Sequence, residues 1–294
     1  MLKLAAVKKS GKQLKSSMNS TILETILTIT VSEKQQQGLS VPVIINFLKE
    51  QVQHIVLAII YNHKQYKHIV FKGGSALRIL YNLPRLSEDL DFDQKIEGFN
   101  IVDLEKAIAY ELKNRYFPPL ETKIQNNKRL YLKFPVLKNF GLAKSQESDK
   151  LYVKLEIDQG ILPFAELDLT SISRFGVNFV ARHYDLPTLM TGKIHAFLYR
   201  IWFKGKQQEV DIKGRDFYDL YWFLSNGIKP NWKALKAATG ITNEAALKKE
   251  IYKRIKSSVT PTKLAYDLNN FLPDTHFVTD FANNYPQIIG KFLK

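Results

Sequence analysis

The chain has no cysteine among its 294 residues. Disulfides and thiolate metal sites are therefore excluded, and the expected compartment is the cytoplasm. No stretch approaches the roughly 18 apolar residues of a membrane-spanning helix, so no membrane partner is expected. The opening MLKLAAVKKSGKQLKSS carries lysines, but its apolar part is far too short for a secretory signal. His183 and His195 lack the paired spacing of metal ligands, which leaves a structural reading for both. Acid is scarce beside base: 28 Asp and Glu against 43 Lys and Arg, a formal charge of +15. Solubility alone needs no such imbalance of sign. It points to a polyanionic partner, most simply nucleic acid, with RNA and DNA equally open.

What is present centres on HIVFKGGSALRILYNLPRLSEDLDFD, His68 to Asp93. Ile69, Val70 and Phe71 form a short buried-strand pattern. Gly73 and Gly74 permit a tight turn and close approach of a ligand to the backbone. Ser75 suits a helix N-cap ahead of Ala76, Leu77, Arg78, Ile79 and Leu80. Asn82, Pro84 and Ser87 end that helix. Leu90 and Phe92 then alternate with Asp89, Asp91 and Asp93, which puts Asp89 and Asp91 side by side on one strand face. Adjacent carboxylates repel, and a divalent cation between them relieves this; hard oxygen ligands suit Mg²⁺ (or Mn²⁺). The glycine–serine turn offers N–H groups and a hydroxyl suited to phosphate, so Gly74 and Ser75 become nucleotide-binding candidates. DLD alone reads better as a solvated acidic strand; GGS and DLD one helix apart describe a site for a metal–nucleoside triphosphate.

GGS followed by DLD resembles the signature of the polymerase-β-like nucleotidyltransferase superfamily. The longer string KGGSALRILYNLPRLSEDLDF, with Lys72, Arg85, Ser87 and Glu88 in place, resembles the AbiEii/AbiGii-type toxin branch. A second block, LMTGKIHAFLYR…KGRDFYDLYW, resembles that branch's lysine-bearing helix, linking loop and RD-x-x-DL helix. The resemblance implies that Asp89 and Asp91 are catalytic metal ligands. It also implies that Lys193 contacts the nucleotide's phosphates and that Asp216 is a further catalytic residue. By pattern alone Lys193 is a snorkelling surface lysine and Asp216 a first-turn acid favoured by the helix dipole. A third carboxylate on a neighbouring strand is common in the superfamily. Here the segment KLEID offers Glu156 first and Asp158 second as a metal ligand, against the equal alternative of a solvent-facing Lys–Glu pair.

The remaining pattern predicts the architecture. Residues 1–18 carry five lysines and no acid, a basic arm. Val41–His63 is a strongly apolar helix that packs on the sheet. Ile101–Arg115 is a helix that Asp103 can cap. Leu130–Leu137 and Leu151–Ile157 alternate as strands, and Asn178–Asp185 is a possible further one. Leu189–Phe203 and Asp216–Leu224 are amphipathic helices joined by a charged loop, and 231–294 is helical.

The expected fold is α/β (α+β): a polymerase-β-like core with a mixed sheet over 19–186, then a C-terminal helical lobe over 187–294 that contributes to the site. The expected function is a toxin of a bacterial toxin–antitoxin or abortive-infection system. It would move a nucleoside monophosphate from an NTP co-substrate to RNA, with the tRNA 3′ acceptor end favoured, and so block translation. A cognate antitoxin is the implied protein partner, and the oligomeric state is open. Nucleotidylation of a protein hydroxyl and a non-catalytic RNA-binding module are the alternatives.

Overall fold

The computed structural model describes residues 20–143, 149–204 and 210–293. The basic arm at 1–18 and the middle of the loop after Phe203 lie outside them. Helix α1 (Ile22–Gln36) starts at a reciprocal cap, in which Thr21 and Glu24 satisfy each other's backbone N–H. Helix α2 (Val41–Asn62) follows with Pro42 in its first turn. Strand β1 (Val70–Lys72), helix α3 (Gly73–Tyr81) and strand β2 (Asp89–Gln94) realise the central motif. Helix α4 (Ile101–Arg115) leads to β3 (Glu121–Gln125), β4 (Arg129–Pro135), β5 (Lys150–Gln159), β6 (Leu167–Arg174) and β7 (Val177–Tyr184). Helices α5 (Leu186–Tyr199), α6 (Gly214–Ser225), α7 (Trp232–Thr239), α8 (Glu244–Ser258), α9 (Pro261–Leu268) and α10 (Thr275–Gly290) complete the chain.

The seven strands form one mixed sheet in the order β3-β4-β5-β2-β1-β7-β6. β2 runs parallel to β5 and antiparallel to β1, while β1 runs parallel to β7. The central strands alternate as the sequence predicts: Leu90 and Phe92 of β2, and Leu151, Val153, Leu155 and Ile157 of β5, are buried. The edges β3 and β6 were not expected as strands. ETKIQ has one large apolar residue and no fully buried position, and β6 leaves most of its length exposed, so neither carries a strong apolar alternation.

Helix α2 is the keel beneath the sheet. Among the described residues it is the one helix long and apolar enough to cross a membrane, but 78% of its most apolar window is buried in the fold. Both of its faces are used, against β5 and β7 and against α1 and α4. Its buried polar residues tie distant segments together: Asn46 donates to the Asn270 carbonyl and Gln53 to the Ser87 carbonyl. Glu50 accepts from Arg78. One apolar cluster runs from Leu23 through the sheet to Ile289, so the C-terminal helices share the core of the strands.

Two local expectations are corrected. α3 begins at Gly73, so Ser75 lies inside its first turn rather than at the N-cap. α4 is capped by Asn100, whose side chain accepts from the Val102 N–H, and Asp103 is left on the surface. Asn100 precedes the apolar stripe by one residue, and its extended backbone is the geometry an N-cap needs.

Candidate active site

The central turn is shaped by close approach. Gly73 has φ +81°, and a Cβ there would run into Asp91 Oδ2. A Cβ on Gly74 would lie 2.7 Å from Arg85 Nη2 and 3.0 Å from Ser87 Oγ. Both positions therefore require glycine for space, and Gly73 also for its left-handed backbone. Ser75 is fully buried, and its hydroxyl donates to the Asp89 carbonyl. That bond fastens α3 to the first residue of β2. Its hydroxyl is thereby engaged by the fold.

Register on β2, β1 and β5 builds the acidic face. Asp89, Asp91 and Asp93 stand opposite Lys154, Glu156 and Asp158 of β5, and Lys72 stands opposite Asp91. Asp89 receives Lys154 Nζ at 2.9 Å. Asp93 receives Lys72 Nζ at 2.5 Å and the Tyr184 hydroxyl. Asp158 is held by Lys72 at 2.8 Å and Lys128 at 2.5 Å. Glu156 accepts from Arg129 at 3.2 and 3.3 Å and from Lys154 at 3.3 Å. Burial raises the Glu156 carboxyl, but Arg129 and Lys154 outweigh it and hold it below the usual range.

Glu156 thus shares the face of Asp91 yet is already neutralised by cations. Among the described residues no three carboxylate or imidazole groups converge as a metal-ligand set. Neither Glu156 nor Asp158 is assembled as a third ligand, because lysines and arginines interleave with the acids of β5. Asp91 is different. It has no hydrogen-bond or ion-pair partner among the described residues, and burial followed by the Asp89 charge pushes its carboxyl upward. A desolvated, unpartnered carboxylate beside a second one is the hard oxygen pair that a divalent cation satisfies. Asp89 and Asp91 fit Mg²⁺ on that ground.

The loop 82–88 and the C-terminal helices close the other side. Arg85, fully buried, forms a two-pronged pair with Asp219 of α6, both contacts at 2.6 Å. Lys193 of α5 reaches the same Asp219 at 2.7 Å and Asp216 at 3.8 Å. Burial alone would raise the Asp219 carboxyl, but Arg85 and then Lys193 hold it down at about 2. Asp216 is buried and receives Arg200 Nη1 at 2.7 Å. Arg215 pairs with Asp267 at 3.2 Å and Glu88 at 3.0 Å, with its guanidinium 3.7 Å above the Phe271 ring. Glu88 is half-buried, and Arg215, Lys49 and Lys213 keep its carboxyl at about 2.

The cavities show what these groups surround. A cleft of about 580 Å³ runs along the sheet face past Asp89, Asp91 and Asp93 to Leu189, His195 and Trp202. A polar chamber of about 50 Å³ lies behind it, bounded by Gly74, Arg85, Glu88 and Arg215. Asp89, Asp91, Lys193, Arg200 and Lys213 line both. The structure therefore brings Asp89, Asp91, Lys193, Asp216 and Gly74 together around one opening, with Ser75 beneath it. Asp219, Arg200 and Lys213 were not singled out by sequence as site residues. Asp219 had a signal, its i,i+3 spacing from Asp216; Arg200 and Lys213 stand at the inner ends of the two halves of LMTGKIHAFLYR…KGRDFYDLYW.

Two solved Helicobacter pylori structures resemble the fold. JHP933 is 19% identical, with 84% of this chain and 93% of that chain covered and a TM-score of 0.45. A candidate nucleotidyltransferase is also 19% identical, with 83% and 94% covered and a TM-score of 0.43. No curated protein matches the chain. The model of the AbiEii nucleotidyl transferase toxins of type IV toxin–antitoxin systems matches residues 55–293, which include every site residue above. The chain belongs to the AbiEii nucleotidyl transferase toxin family.

Proposed function

We propose that this chain transfers a nucleoside monophosphate from an NTP to a hydroxyl of RNA, with the tRNA 3′ acceptor end as the favoured acceptor. The oxygen of the acceptor hydroxyl bonds to the α-phosphorus, the bond from that phosphorus to the β-phosphate bridge breaks, and pyrophosphate leaves. The observation that carries this reading is Asp91: an unpartnered carboxylate beside Asp89, at the opening shared by the cleft and the cationic chamber. Asp89 and Asp91 would hold Mg²⁺, which when bound neutralises phosphate charge and favours ionisation of the attacking hydroxyl. Lys193, oriented by Asp219, would face the phosphates, and Gly74 leaves the backbone of α3's first turn open to the same chamber. Asp216 would hold Arg200 in the cleft wall.

The acceptor side rests on charge and on the sheet. Outward from the carboxylates, β5, β4 and β3 present Tyr152, Tyr131, Arg129, Lys133 and Lys123 on one face by register. Alternating aromatic and cationic side chains suit stacked bases and phosphates. The family's place in type IV systems implies a cognate antitoxin. Block of translation is the expected consequence of modifying the tRNA end.

The test is incubation of the wild-type protein and Asp91→Asn with each α-labelled NTP, total tRNA and total bacterial protein. Label is expected in RNA with wild type and in nothing with the variant. Label in protein selects the protein-acceptor reaction, and label in neither refutes transfer.

A further inference from the structure

Cations that line the cleft and the chamber are almost all matched to carboxylates. Lys72 is satisfied by Asp93 and Asp158, and Lys154 by Asp89 and Glu156. Arg85 and Lys193 share Asp219, Arg200 has Asp216, and Arg215 has Asp267 and Glu88. Lys213 is the exception. Among the described residues its ammonium has no hydrogen bond and no ion pair, although it lines both cavities. Its neighbours make this costly, since burial first and Arg215 next oppose its charge and lower the amine to about 8. Asp216 and Asp267 act on it only from beyond ion-pair distance.

An unpaired, desolvated ammonium is expensive to maintain. The same opening holds an unpaired, desolvated carboxylate, Asp91. The two deficits are opposite in sign, and one ligand relieves both: a divalent cation with a polyphosphate attached. A lysine serving only the fold would gain by pairing or by reaching solvent, as lysine's flexible stem permits.

We propose that Lys213 is a phosphate-binding residue that grips the outer phosphates of the nucleoside triphosphate and remains with the pyrophosphate as it departs. The inference rests on the nucleotidyl-transfer reading and adds to it a second lysine beside Lys193. The two differ in kind. Lys193 is anchored by Asp219 before any ligand arrives, whereas Lys213 acquires its partner with the substrate. Lys213 therefore reads the number of phosphates, and the protein should favour a triphosphate over the matching monophosphate through it.

The experiment is calorimetric binding of Mg²⁺ with the α,β-methylene analogues of ATP, CTP, GTP and UTP, and with the four monophosphates, to the full chain and to Lys213→Met and Lys213→Arg. The Met variant should lose about 10- to 100-fold in affinity for the preferred triphosphate, the range of a charge-assisted contact. Monophosphate affinity should stay within about twofold, and Arg should restore part of the loss. Repeating the titration near pH 8 in buffers of different ionisation heat should show proton uptake on triphosphate binding by wild type and none by the Met variant. Arg200, Arg215, Asp216, Asp267 and Glu88 are the charged groups around Lys213, and all are retained in that variant. Unchanged triphosphate affinity in Lys213→Met overturns the proposal. So does a wild-type affinity for the preferred triphosphate within about twofold of that for its monophosphate, a measurement that needs no variant to fold. Failure of wild type to bind any analogue overturns instead the nucleotidyl-transfer reading beneath it.

Discussion

At the scale of single residues the site is a set of balanced charges with two exceptions. Asp91→Asn should abolish turnover while leaving the thermal midpoint in EDTA unchanged or higher, because it removes a like-charge contact with Asp89 and a desolvated carboxylate. A clear fall in the midpoint would show that the acid serves the fold instead. Asp219 behaves oppositely. Asp219→Ala strands Arg85 in the interior and frees Lys193, a loss of about 3–5 kcal/mol for a broken buried pair, read by denaturant titration. Its carboxyl lies at about 2 in the fold, against about 3.9 in an unfolded chain. A depressed acid contributes stability that is complete above the unfolded value and lost as pH falls through the folded one. The gap between wild type and Asp219→Asn should therefore close on acidification from about pH 4 to about pH 2.

At the scale of elements, α3 and the loop after it are locked by contacts that leave no room for change. Gly74→Ala would press a methyl group against Arg85 Nη2, which Asp219 prevents from moving. A cost of about 1–3 kcal/mol and a loss of turnover are expected, whereas alanine at Gly192, which has open space around it, should leave stability nearly unaltered. Paired melting curves decide between them. Elements with a strong burial period were legible in the sequence: α2, β2 and β5 follow their apolar spacing closely. α5 ends at Tyr199, where the expected helix ran on to Phe203, and Ile201 and Phe203 are exposed. Their apolarity imitates a helix face that the fold does not bury.

For the whole molecule the excess of base makes the sharpest prediction. If the acceptor is RNA and about five phosphates are contacted, log affinity should fall against log salt with a slope of about −3 to −4. KM for RNA should rise steeply with salt while kcat changes little, since the site is partly enclosed and weakly screened. A double variant, Tyr131→Ala with Lys133→Ala, should raise that KM and reduce the slope by roughly one. A flat salt response would favour a protein acceptor.

Sequence by itself determined the central motif, because its parts lie within one turn, one helix and one strand of each other. Glycine where a Cβ cannot fit, and carboxylates two apart on a strand, are local facts, and the spacing of GGS and DLD carries them. Only the tertiary structure decided which charges are answered. Arg85 and Asp219 are 134 residues apart, and Lys72 and Asp158 are 86 apart. Neither pairing leaves a trace in periodicity. The same long-range packing turned Glu156 toward Arg129, and left Asp91 and Lys213 without partners. Whether a charge is matched depends on which neighbours the fold brings within a few ångströms and how much water it removes. Both are properties of the assembled core rather than of any one segment.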